Sequence, residues 1–97
     1  MKHYLPTSVQ VGRRRVPVHR RKLVKLQGTT NRRRILLDAD LGKFSSLSVL
    51  IHEMLHVVDW RLSEARVLQL EYALVSLVLA NPDLFKSLAK QAPRRRP

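Results

Sequence analysis

The twelve residues Val-Leu-Ile-His-Glu-Met-Leu-His-Val-Val-Asp-Trp, from Val49 to Trp60, constrain this chain more than any other stretch. His52 and His56 stand four residues apart, and Glu53 directly follows the first histidine. Residues four apart on an α-helix lie one above the other on the same face. Leu47, Leu50, Ile51, Met54, Leu55 and Val58 recur at three- and four-residue spacings, which predicts a helix from Leu47 with a broad apolar stripe. His52, His56 and Asp59 fall on a different face. Ser45 or Ser46 is the expected N-cap. Such a helix buries one side in a core and offers metal-ligand side chains on the other.

Two imidazoles at this spacing can share one zinc ion. Glu53 lies about 100° round the helix from His52, within reach of a water on that ion. Its carboxylate can take the water's proton and pass it to a leaving amine, the chemistry of a zinc metallopeptidase. Zinc needs at least a third protein ligand. The chain has no cysteine, so disulfides are excluded and the ligand must be a carboxylate or a further histidine. Glu64, eight residues past His56 at the start of the next helix, ranks first. Glu71 lies two turns further on, on roughly the same face. Asp59 is one turn after His56, and its short side chain suits orienting that histidine better than ligation. Tyr72, His19 and Arg66 are candidates to stabilise an oxyanion.

Ahead of the helix, Leu23–Gln27 reads as a strand, residues 28–31 (Gly-Thr-Thr-Asn) as a turn, and Arg32–Asp38 as a second strand, an antiparallel hairpin. Val16 and Val18 flank Pro17 in an extended basic segment, where the proline argues against a central strand. Beyond the motif, Ser63 is the expected cap of a second helix. Its apolar residues cover most of its surface, so it should be the buried centre of the domain, antiparallel to the first. Asn81-Pro82-Asp83 starts a third, short helix.

Charge divides the chain. The net charge is +12, residues 1–34 hold eleven Lys or Arg and no acid, and residues 35–93 hold five basic and seven acidic residues. The expected division is a basic N-terminal arm over 1–22, a catalytic domain over 23–91 and a disordered basic tail over 92–97. The arm is a candidate contact for nucleic acid, although no aromatics interleave its arginines to stack on bases. The longest apolar run, Ala73 to Ala80, is interrupted by Ser76 and is too short to span a bilayer. With no signal-peptide pattern at the start, a cytoplasmic protein without membrane contact is expected.

The segment from Asn31 to Asp38, the motif Leu50-Ile51-His52-Glu53-Met54-Leu55-His56, the run Leu62-Ser63-Glu64-Ala65-Arg66-Val67 and the closing Val78–Leu84 together resemble small zincin-like metallopeptidase domains of phages and prophages. Those domains are related to ImmA/IrrE-type and SprT-like peptidases. The resemblance implies a minimal α+β domain, with a small antiparallel sheet packed on the motif helix, a core helix and a short C-terminal helix. It implies Zn2+ held by His52, His56 and Glu64 in a gluzincin-like set, Glu53 as catalytic base, and a protein or peptide substrate in a host cytoplasm. The strand Arg34–Asp38 would be the edge that pairs with extended substrate. Leu62 stands where a metzincin has its third histidine. The competing reading is a basic nucleic-acid-binding or virion-associated protein whose zinc site is only structural.

Overall fold

The structure, a computed structural model, describes residues 7–31 and 33–91. Four strands come first, β1 (Ser8–Val11), β2 (Arg14–Arg21), β3 (Gly28–Thr30) and β4 (Ile35–Asp38), followed by three helices, α1 (Lys43–Val58), α2 (Glu64–Ala80) and α3 (Pro82–Gln91). The fold class is α+β, with the strands in one sheet of order β1-β2-β4-β3.

Residues 8–21, expected within a solvated arm, form half of this sheet. Alternation explains why: Val16 and Val18 point into the core while Arg15, Pro17 and His19 point out. Gly12, at φ +61°, and Arg13 turn the chain between β1 and β2, and Val9 then pairs with Val16 and Val11 with Arg14. Pro17 is tolerated inside β2 because the strand changes partner there. Arg14 to Pro17 pair with β1, and Val18 to Arg21 pair with β4. Val18 donates its N–H to the Thr7 carbonyl at 2.8 Å, on the β1 side. The Pro17 nitrogen therefore faces the other side, one position before the β4 ladder opens, where no hydrogen is called for. Residues 1–6 of the expected arm and the tail at 92–97 lie outside the described residues.

The expected hairpin is displaced along the chain. Lys25 sits at φ +64°, which breaks the run 23–27, and pairing starts only at Gly28. The chain reverses after Thr30, where Asn31 Oδ1 accepts the N–H groups of Arg33 and Arg34 at 3.0 and 3.1 Å. The sheet is mixed rather than antiparallel, because β2 joins it and runs parallel to β4. The same insertion makes β4 an inner strand and β3 the edge, correcting the expectation that the strand ending at Asp38 borders the cleft.

One face of the sheet carries α1. Val16, Val18, Ile35 and Leu37 meet Leu41, Leu50 and Val57 in a single cluster, in which Ile35 and Leu37 have no exposed surface. The cap of α1 is Gly42, three to four residues before the predicted serines, so Ser46 lies inside the helix, fully buried. Val58, expected on the apolar stripe, is exposed at the last turn. Ser63 does cap α2, its Oγ accepting the Arg66 N–H at 3.1 Å.

α2 is not the buried centre. It buries Val67 and Val75 against the rest of the fold, whereas Leu68, Tyr72, Leu77 and Leu79 are exposed. α2 packs chiefly on α1 with a smaller contact to α3, and a helix covered mainly along one stripe leaves the rest of its surface exposed however apolar it is. No helix among the described residues is long and apolar enough to cross a membrane.

Candidate metal centre

Residues 59–63 reverse the chain, and α2 returns along α1. Glu64 meets His56 and His52, and Glu71, two turns further on, meets His52 and Ser48, so the helices run antiparallel as the short connection requires. The His52 and His56 rings lie side by side along α1, centroids 5.1 Å apart, meeting edge to face at 63°. Glu64 Oε1 lies 2.6 Å from His56 Nε2 and 3.2 Å from His52 Nε2. One ligand atom from each of His52, His56 and Glu64 lies within 4.8 Å of the other two, and together they could hold a metal ion. A tetrahedral centre with bonds of about 2.0–2.2 Å separates its ligand atoms by about 3.3–3.6 Å. The Glu64–His52 distance is close to that spacing, and the Glu64–His56 contact reaches it by opening under about 1 Å.

The other ring nitrogen of His52 is fixed. Nδ1–H donates to Glu71 Oε1 at 2.7 Å, and the other Glu71 oxygen accepts the Ser48 hydroxyl. A carboxylate on Nδ1 leaves the Nε2 lone pair for a cation and holds the ring in place. Ser48 precedes His52 by four residues and so shares its face, a spacing legible in the sequence. Asp59 is engaged elsewhere: its Oδ1 accepts the Arg61 backbone N–H at 3.1 Å and the side-chain Nε–H at 3.5 Å. Tyr72, His19 and Arg66 are exposed, and none lines the cleft.

The cleft in front of the cluster has a volume of about 640 Å³. Its polar wall is the histidine–glutamate cluster, Val49, Trp60 and Leu68 supply apolar surface, and Gln27 to Thr30 form the opposite lip along the sheet edge. Glu53 lines it too, with only 8% of its surface exposed. Gly28 lets the edge strand come close, because a Cβ there would lie 2.5 Å from Val49 Cγ1 and 3.2 Å from Glu53 Cγ. That approach is what covers Glu53, and a glycine opening a short strand is its only trace in the sequence.

Burial raises the Glu53 carboxyl above its ordinary value; His52 and His56 oppose the shift, and the charges of Glu64 and Glu71 add to it. Burial would lower His52, but the Glu71 hydrogen bond and the charges of Glu64, Glu53 and Glu71 outweigh it, so the imidazole holds its proton above the usual value. Burial acts upward on Glu64, and the hydrogen bonds and charges of His56 and His52 carry it below.

No family model, curated protein or solved structure matches this chain. What the site can do therefore follows from its geometry.

A cation must displace the His52 proton, which is held above the ordinary histidine value of 6.5. Affinity for a divalent cation at this site is thus expected to start falling above pH 6.5 as pH decreases, rather than below it. In the metal-free protein the sign is opposite. The stabilisation from protonated His52 is fully present below the unfolded value and is lost as pH rises through the raised folded value. Competition titrations against a chromogenic chelator across this range test the first statement, and an affinity that is flat with pH would contradict it.

Proposed function

We propose that this chain is a zinc-dependent peptidase, with His52, His56 and Glu64 as the metal ligands and Glu53 as the general base. The observation that carries this reading is a carboxylate buried in the same cleft wall as the three ligand-type side chains. Burial costs an unpaired carboxylate free energy and needs a reason. A base whose affinity for protons is raised is the form general-base catalysis calls for.

Zinc in such a site supplies a Lewis acid that polarises a carbonyl and makes water acidic enough to ionise near neutral pH. The chain's own residues do the rest. Glu71 and Ser48 hold the His52 ring. Glu53 takes the proton of the attacking water and returns it to the leaving nitrogen. β3, the sheet edge along the cleft, is placed to align an extended peptide, and Val49, Leu68 and Trp60 offer apolar surface to its side chains.

A purely structural cation is the second reading. Structural zinc sites are closed by four protein ligands, whereas this cluster has three and opens on a cleft, which favours the catalytic one. The test is cleavage of a mixed peptide library by the zinc-loaded chain, read by mass spectrometry. Cleavage is expected to stop with a chelator and to return with zinc. A zinc-loaded chain that cuts nothing would sink the peptidase reading.

A further inference from the structure

The cationic residues absent from the mechanism are gathered by the sheet topology. Between Thr7 and Gly42 the described residues include nine Lys or Arg against Asp38 and Asp40, whereas residues 43–91 hold five basic and five acidic residues. The excess charge thus belongs to the sheet layer, away from the helical layer that carries Glu53, Glu64 and Glu71.

Within that layer the arginines concentrate at one end. The β1–β2 turn carries Arg13, Arg14 and Arg15, all exposed. β4 runs parallel to β2 with Ile35 level with Val18, so the turn before β4 brings exposed Arg33 and Arg34 in beside the same ribbon. At about 3.3 Å per residue, Arg34 stands about 10 Å along β2 from Arg14. Both acids of the layer lie at the opposite end. Asp38 is level with Arg21 and accepts the Leu23 N–H, and Asp40 pairs with Lys22. From Arg14 to Pro17, β2 is paired with β1 alone, so the arginine triplet tips a ribbon two strands wide.

We infer that this arginine-tipped β1–β2 ribbon, with Arg33 and Arg34 beside it, binds double-helical DNA through its phosphates. Charge complementarity favours a polyanion, and the shape selects among polyanions. The major groove of B-form DNA, about 12 Å wide, admits a two-stranded ribbon, whereas the deep, narrow groove of double-stranded RNA does not. Single strands are held by stacking on aromatic rings, and residues 5–43 contain no Phe, Tyr or Trp. A lipid surface takes up apolar side chains, and the ribbon's valines, Val9, Val11 and Val16, face the protein core. Recognition rests on phosphates, so binding is strong at low salt and tolerant of sequence. It does not depend on the peptidase reading.

The test is fluorescence anisotropy of the full chain with a labelled duplex of about 20 base pairs, two turns of B-DNA. Five arginine–phosphate contacts give a slope of about −4.5 for log K against log salt, an affinity loss of about 500-fold between about 50 and about 200 mM salt. Changing Arg13, Arg14 and Arg15 together to Ser is expected to reduce that loss to about 12-fold. Arg33→Ser with Arg34→Ser tests the second turn independently and is expected to flatten the slope by about 1.8. Lys86→Ser with Lys90→Ser, on α3, should leave binding unchanged. All of these side chains are exposed, and circular dichroism checks that each variant keeps its fold. The inference is overturned by the absence of binding at low salt, by tighter binding to single strands, double-stranded RNA or anionic vesicles, or by ribbon variants that bind as well as the parent.

Discussion

Glu53→Gln is expected to leave zinc content and fold unchanged and to lower kcat/KM for peptide cleavage by about 10²- to 10⁴-fold, the range for a lost general base. The substitution keeps the shape of a side chain packed beneath Gly28 and removes only its capacity to take a proton. It therefore separates the two readings of the site. A structural cation needs no base, so a variant that cleaves as fast as the parent would show that Glu53 is not one. Zinc is measured in the same samples by elemental analysis, which distinguishes a lost base from a lost metal.

The second large effect concerns which carboxylate completes the site. His56→Ala or Glu64→Ala removes one of the three proposed ligands and is expected to abolish zinc retention through gel filtration. Glu71→Gln keeps all three and disturbs only the orientation of His52, so zinc should bind about 10- to 100-fold more weakly. Asp59→Asn, whose carboxylate is occupied by Arg61, should bind zinc as the parent does. If Glu64→Ala keeps its zinc and Glu71→Gln loses it, the assignments of the two glutamates exchange.

The site was more legible in the sequence than the scaffold around it. A helical spacing is a short-range rule, so His52, Glu53 and His56 could be placed relative to one another from their numbers alone. Glu64 followed from a connection too short to lead anywhere but back. The part Glu71 plays was not available, because it shares a helix face with Glu64 and only the depth of packing decides which meets Nε2 and which meets Nδ1. The sheet was harder. Pro17 spoke against an inner strand, and the rule yielded because β2 exchanges partners at that residue. Basic composition suggested an arm, yet in a strand with alternating sides two valines suffice to hold it in the core. The excess of apolar residues on α2 suggested burial that a three-helix layer does not provide.

The five residues between α1 and α2 have a further consequence. The whole proposed ligand set spans only His52 to Glu64, so its members are neighbours along the chain before any folding takes place. Closing so short a loop costs little chain entropy, and the helix pair by itself brings the three side chains together. Glu53 differs, because its cover comes from Gly28 in the sheet, far away in sequence. On the proposed peptidase reading, metal uptake would report on a local helical hairpin, while turnover would report on the assembled domain. A preparation would then bind its full complement of zinc and still be catalytically incompetent if the sheet had not docked.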